Sequence, residues 1–251
     1  MKAMVFAAGL GTRLRPLTDE RPKALVELGG RTLLEITLAR LRTFGISEVV
    51  VNAHHFADKL AGYLAEHNNF GMHIQISCED VLLDTGGGLK KAAPLLLGGS
   101  GPANEPILVH NVDVISTIDL ARMEQAHRAN HALATLAVQD RETSRYLIFD
   151  ENGLLCGRRI GRDDTAEIVR PLGRAKSLAF AGIHIISPRL LTMLTGDRPF
   201  SVIDSYMQLA GQRETIRAFR ADEFYWRDVG RREDLEQAAH DLQRDDSRKT
   251  I

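Results

Sequence analysis

The first thirty residues constrain this chain more than any other stretch. Ala3-Met4-Val5-Phe6-Ala7 is a short apolar run suited to a strand buried on both faces. It passes without a break into Ala8-Gly9-Leu10-Gly11-Thr12-Arg13. Two glycines within three positions let the backbone turn sharply and approach a ligand closely. N–H groups freed in such a loop can point at phosphate oxygens. Thr12 adds a hydroxyl, and Arg13 and Arg15 add forked cationic donors suited to polyphosphate. Pro16 and Pro22 stiffen the return of the loop, and Lys23 brings one ammonium back toward it. The generic phosphate-binding patterns do not match. A dinucleotide fingerprint needs a third glycine where Leu14 stands, and a Walker A loop needs Gly-Lys-Ser/Thr, which is missing after Gly9.

Downstream, helical and strand periodicities alternate. Apolar residues at 33, 34, 36, 38, 41 and 44 predict a helix over 32–44, with Thr32 as N-cap and Gly45 as stop. Strands are expected at 48–52 and 73–77, with a helix at 57–67 between them. Strand–helix–strand repeats with short links imply parallel pairing and right-handed crossovers. Further strands are expected at 107–110, 134–138, 178–186 and 215–220, and a hairpin from 146–149 and 154–156. Helices are expected at 118–129, 188–194, 202–210 and 231–243. Residues 98–106 and 158–176 read as loops, and the charged tail 244–251 as a fraying end. The fold class is α/β: one domain, a mostly parallel central sheet with helices on both faces, Rossmann-like. Residues 1–115 form its first half, 116–230 its second, and 231–251 a terminal helix and tail.

Three later segments carry chemistry-bearing residues. Asp84-Thr85-Gly86-Gly87-Gly88 reads as a glycine-rich turn opening a helix, where a flat ligand can press on backbone. Asn111-Val112-Asp113 ends a strand on the edge that carries the opening loop, so Asp113 can cap the next helix or ligate a cation there. Trp226-Arg227-Asp228-Val229-Gly230 holds the single tryptophan of the chain. Gly182 interrupts an otherwise apolar strand, which indicates close approach of another group.

Taken together, Gly9-x-Gly11-Thr12-Arg13-Leu14-x-Pro16-Leu17-Thr18 with Pro22-Lys23-x-Leu25 resembles the signature of the sugar-1-phosphate nucleotidyltransferases. The segment at Asp84 resembles that family's Glu-Thr-Gly-Gly, the one at Asp113 its Asn-Gly-Asp, and the one at Asp228 its Trp-x-Asp-x-Gly-Thr. Asp84, Val112 and Arg231 depart from the family pattern, and Val169-Arg170-Pro171 only approaches its Glu-Lys-Pro. The resemblance spans about residues 1–242, and among family members it is nearest to short N-acetylmuramate-1-phosphate uridylyltransferases. It implies transfer of a nucleotidyl group from a nucleoside triphosphate, with UTP as first expectation, to a sugar 1-phosphate. It implies nucleotide contacts at Ala8, Gly9, Leu10, Gly11, Thr12, Arg13, Lys23, Thr85, Gly86 and Gly87. It places the sugar phosphate at Asn111 and Gly182, Mg²⁺ on Asp113 and Asp228, and catalysis on Arg13, Lys23 and Asp113.

Composition bounds the alternatives. With 32 basic and 33 acidic residues the net charge is −1, which argues against a nucleic-acid partner held through phosphates. At 44% hydrophobic and 26% charged, the chain has no disorder signature. No stretch nears the ~20 apolar residues of a membrane span, and the apolar N-terminus is too short for a signal sequence, so cytoplasmic residence is expected. Cys78 and Cys156 lack metal spacing and read as buried thiols; adjacent His54 and His55 do not converge easily on one ion. The partners expected are small molecules, with a monomer or homodimer. A nucleotide-sugar sensor of the same fold, a CTP-using relative acting on a non-sugar phosphate, and a dehydrogenase are the competing readings. Arg13, Lys23, Asp113 and Asp228 together weigh against the sensor, and Leu14 against the dehydrogenase.

Overall fold

The computed structural model describes residues 1–98, 102, 104–161 and 165–244. Parts of the two expected loops, at 99–101, 103 and 162–164, and the tail at 245–251 lie outside these. In chain order the strands are β1 (Lys2–Phe6), β2 (Glu27–Leu28), β3 (Arg31–Thr32), β4 (Glu48–Ala53), β5 (His73–Cys78), β6 (Ile107–Asn111) and β7 (Val114–Ser116). They continue with β8 (Ala134–Gln139), β9 (Arg145–Asp150), β10 (Leu155–Ile160), β11 (Ala166–Ile168), β12 (Ala175–Ile186), β13 (Ile216–Arg220) and β14 (Trp226–Asp228). The helices are α1 (Leu33–Thr43), α2 (Ala57–Glu66), α3 (Asp84–Leu97), α4 (Leu120–Ala129), α5 (Arg189–Met193), α6 (Val202–Gly211) and α7 (Arg232–Arg244).

The central sheet runs β11-β10-β9-β12-β6-β1-β4-β5, with β8 and β13 branching from β12. Strands β6, β1, β4 and β5 are parallel, as the alternating strand and helix periodicities predict. Alternate residues of β1, β4 and β6 feed two separate cores. Ala3, Val5, Val49 and Val51 face α1, α2, α4 and α7, whereas Met4, Val50, Ile107 and Val109 face α3, α5 and α6. Both faces of these three strands are covered, so each carries an unbroken apolar run, whereas β5 at the sheet edge alternates. Thr32 caps α1 through its side chain, accepting from the Glu35 N–H, and Gly45 follows the helix at φ +74°.

β12 pairs antiparallel with β6, β8 and β9, turning a parallel sheet into an antiparallel meander. The extension is larger than the expected hairpin. Residues 158–160, 166–168 and 175–176 of the expected solvated loop are drawn into β10, β11 and the start of β12. Across this ribbon Arg158 stands opposite Glu167, with 2.7 Å between Nε and Oε2. Arg170 lies away from the cleft, its Nη2 donating to the Glu214 carbonyl at 2.6 Å behind α6. Cys156 is buried but Cys78 is exposed, because the expected strand runs one residue further and ends on it.

Three histidines are buried inside this framework. His110 on β6 and His127 on α4 are each held to about 4, and His184 on β12 to about 3, chiefly by burial. Their folded pKa values lie below the ordinary 6.5, so the stability they contribute is complete above that pH. It is lost as pH falls from 6.5 toward 4, because only the unfolded chain takes up the protons. At pH 5 the loss is at most about 2 kcal/mol per histidine. The urea midpoint is therefore expected to fall substantially between pH 7 and pH 5; an unchanged midpoint would refute three neutral buried imidazoles.

Candidate active site

The carboxyl ends of the parallel strands lie on one edge of the sheet, and the functional segments gather there. After β1 the chain turns at Gly11, which has φ +63°. A Cβ at this position would stand 2.9 Å from Thr18 Cγ2 and 3.1 Å from Lys23 Cβ. Only glycine combines that backbone conformation with that contact. Thr18 donates to the Gly11 carbonyl at 2.9 Å, folding the loop back toward Lys23. The N–H groups of Ala7 and Ala8 both go to Asn52 Oδ1, at 2.7 and 3.3 Å. Those of Gly9 to Arg13 have no protein acceptor among the described residues. The loop thus presents donors beyond Ala8.

Asn52 is the anchor of this arrangement. It is buried at the end of β4 and donates from Nδ2 to Glu79 Oε1 at 2.6 Å, while Glu79 Oε2 accepts from the Leu83 N–H at 3.0 Å. One hydrogen-bonded chain therefore joins the opening loop, the end of β4, and the start of α3. Neither Asn52 nor Glu79 stood out in the sequence. An Asn ending a valine run was the available signal, since a polar residue there needs partners inside.

The expected turn at Gly86 to Gly88 is instead the opening of α3 itself. Phe200 explains these glycines in part. Its carbonyl accepts from Gly86 and Gly87 at 2.8 and 3.3 Å, and its ring lies where a Gly86 Cβ would be, 2.3 Å away. A Cβ at Gly87 would meet Leu83 Cβ at 2.9 Å, and one at Gly88 would meet Glu79 Oε1 at 2.7 Å. Gly86 and Gly87 do not line the cleft; Thr85 and Asp84 do, with Ala8, Gly9, Lys23, Asn52, Glu79 and Asp113.

Asp113 and Asp228 come from distant parts of the chain. β14 pairs antiparallel with β7, placing Asp228 opposite Val114, and the Val229 N–H donates to the Asp113 carbonyl at 2.8 Å. Lys23, nearly buried, forms an ion pair with Asp113. Gly230 marks the point of convergence. A Cβ there would lie 2.7 Å from Arg13 Nη2, 2.7 Å from Asp228 Oδ1 and 3.2 Å from Lys23 Nζ. Its own N–H donates to Asp228 Oδ1 at 2.7 Å. Burial, and then the charge of Asp113, push the Asp228 carboxyl above its ordinary range, against the pull of the Gly230 N–H, Lys23 and Arg13. Arg15, by contrast, is exposed, pairs with Asp19 and lines neither cavity. Leu10 is exposed on the loop, as is Thr12.

On the other side of Asn111 opens a larger cavity of about 900 Å³. Arg13, Asn111, Gly182, Trp226, Asp228 and Arg231 are among its walls. Gly182 sits in the bulge of β12 at φ +72°; a Cβ there would be 2.8 Å from Asn111 Nδ2 and 3.0 Å from Val114 Cγ2. Asn111 borders both cavities.

Among the described residues no three His, Cys, Asp or Glu side chains converge as a metal cage. His54 instead hydrogen-bonds through Nδ1 with the Glu79 carbonyl. A pair of carboxylates, one of them destabilised by the other, does fit a hard divalent cation that completes its shell with water and phosphate oxygens.

Comparison with known proteins agrees with this architecture. The profile of the family described as nucleotidyl transferase matches residues 2–245. An N-acetylmuramate alpha-1-phosphate uridylyltransferase of Caulobacter vibrioides is 35% identical over 240 residues, covering 91% of this chain and 91% of the relative. A mannose-1-phosphate guanyltransferase of Yarrowia lipolytica is 31% identical over 94% of this chain, which spans 62% of that longer protein. Two solved structures share the fold. HddC from Yersinia pseudotuberculosis complexed with GMP-PN has a TM-score of 0.73 at 19% identity, with 96% and 99% of the two chains covered. A Bacillus anthracis protein in complex with sucrose has a TM-score of 0.79 at 15% identity, covering 98% and 96%.

The raised Asp228 carboxyl has a consequence for stability. For an acid whose folded pKa lies above its unfolded value, stability is lost as pH rises through the folded value. Asp228→Asn keeps the shape and an oxygen acceptor for the Gly230 N–H while removing that charge. The variant is expected to melt at a higher temperature than the parent at pH 8 without divalent cation. A lower melting temperature would show that Asp228 is favourably paired.

Proposed function

The chain belongs to the nucleotidyl transferase family, and from that premise we propose that it moves a nucleotidyl group from a nucleoside triphosphate to a sugar 1-phosphate, releasing pyrophosphate. The observation carrying the proposal is the meeting of Arg13, Lys23, Asp113 and Asp228 where the two cavities adjoin. The triphosphate occupies the smaller cleft beneath the glycine loop, and the acceptor occupies the larger cavity beyond Asn111. An oxygen of the acceptor phosphate bonds to the α-phosphorus, and the bond from that phosphorus to the β-phosphate oxygen breaks. Pyrophosphate takes the electron pair. The attacking oxygen is already ionised, so no general base is required; the protein's task is alignment and charge neutralisation.

The unpaired N–H groups from Gly9 to Arg13 and the Arg13 guanidinium hold the departing phosphates. Lys23 moves from Asp113 to the α-phosphate, where charge redistributes during attack. Asp113 and Asp228 would hold Mg²⁺, which supplies positive charge against the phosphate oxygens. Thr85 and the Asn52–Glu79 network shape the base end of the cleft, and Asn111 and Gly182 the sugar end. UTP and N-acetylmuramate 1-phosphate are our specific substrates of choice. The Caulobacter vibrioides relative, matched over nine-tenths of both chains, supports this pair.

A pyrophosphate-release screen of UTP, GTP, CTP and dTTP against N-acetylmuramate, mannose and glucose 1-phosphates, with and without Mg²⁺, tests the reading. Release is expected with UTP and N-acetylmuramate 1-phosphate, and silence across the whole panel would leave a nucleotide-sugar sensor as the better account. With the active pair, Asp113→Asn and Asp228→Asn are expected to stay folded and lose activity by orders of magnitude. Lys23→Ala should act mainly on kcat, by ~10²-fold, the scale of losing one preorganised donor. Arg13→Ala should also raise the KM for the triphosphate. Two variants with both constants within about twofold of the parent would return these cations to the role of surface residues.

A further inference from the structure

The larger cavity contains a cation that neither the opening loop nor the metal pair accounts for. Arg141 follows β8 and lies with its guanidinium 3.8 Å above the ring of Trp226, the same tryptophan whose strand carries Asp228. Trp226 is itself fixed by donating from Nε1 to the Ala181 carbonyl at 2.7 Å. Arg141 Nη2 donates to the Phe180 carbonyl at 3.0 Å, and Nη1 approaches the Glu142 carbonyl at 3.4 Å. Its Nε is buried with no acceptor. Around the same cavity Arg158 is paired with Glu167 and Asp204, and Arg227 with Asp234 and Asp241; Arg145 and Arg231 also line it, but Arg141 is the one stacked on Trp226 among the described residues. Arg141 has two carbonyls and an aromatic face but no carboxylate in contact among the described residues. Burial lowers its pKa and the charge of Asp228 acts against that shift, which puts the guanidinium within the field of the reacting end of the cavity. An arginine so held remains charged.

A partly buried cation stacked on a rigid ring and short of an anionic partner is preorganised for a planar, two-oxygen anion. Arg170 is committed to the Ala210 and Glu214 carbonyls at and just beyond the end of α6. We propose that Arg141 is the residue that grips the phosphate of the acceptor and presents it toward Asp228. This rests on the functional reading above and deepens it by assigning the acceptor's phosphate to one side chain.

The single tryptophan makes the assignment measurable apart from turnover. Saturable change in Trp226 emission is expected when the parent protein is titrated with N-acetylmuramate 1-phosphate, and little with N-acetylmuramate, which lacks the phosphate. Arg141→Gln should weaken that titration and raise the KM for the acceptor at least tenfold, with the KM for UTP within twofold. Arg141→Lys, keeping charge without the fork, should recover part of the loss. If the parent is active and Arg141→Gln leaves the acceptor KM unchanged, the assignment is wrong. If both KM values rise together with a fall in melting temperature in both variants, Arg141 is a packing residue for Trp226, and the assignment is again wrong. A parent that releases pyrophosphate from no pair overturns instead the reading on which the proposal rests.

Discussion

Two carboxylates and two cations are forced into one place, and much of the cleft follows from that constraint. Like charges this close raise the proton affinity of one partner, as Asp228 records. The fold tolerates them because Lys23 pairs with Asp113, the Gly230 N–H donates to Asp228, and Arg13 lies near Asp228. Each compensation is exchangeable. A phosphate can take Lys23 and Arg13, and a divalent cation can take the carboxylates, without breaking a strand or helix. Charges that are balanced but not locked suit a reaction whose substrates bring four or more negative charges of their own.

Rigidity is supplied by a chain of hydrogen-bonded side chains beside that centre. Asn52 spends both ends of its amide, on the Ala7 and Ala8 N–H groups and on Glu79, and Glu79 in turn holds the Leu83 N–H. Buried polar chains of this kind are worth most when every member is satisfied. Gly88 belongs to the same design, since any side chain there would intrude on Asn52 and Glu79. The glycines of α3 serve close packing of Phe200, Leu83 and Glu79, and the helix start lines the cleft with Thr85 and Asp84.

The central parallel strands were legible because burial on both faces writes itself as unbroken apolar runs, as at 49–51 and 107–109. The opening loop was legible because positive φ at Gly11 and the tethers around it demand particular residues locally. What escaped the sequence was long-range or cooperative. β7 and β14 are three residues each, too short for periodicity, yet their pairing assembles the carboxylates. The 158–176 segment looked like solvated loop because its strands carry charge on exposed faces, and Arg158 opposite Glu167 becomes visible only once the register is known. Arg15 and Arg13 are indistinguishable as letters; the turn between them sends one to Asp19 and the other to Asp228. Asn52 and Arg141 likewise owe their roles to partners 27 or more residues distant, on β5's end and β14.

The β7–β14 ribbon also orders events during folding. Its two strands close a chain segment of more than a hundred residues, and such a closure must await much of the intervening structure. The glycine loop and its Asn52 tether involve contacts within the first eighty residues and carry no such delay. The residues of the glycine loop and of its tether all precede Asp228 in the order of synthesis. The like-charge penalty between Asp113 and Asp228 is thereby deferred until the rest of the sheet is in place to bear it.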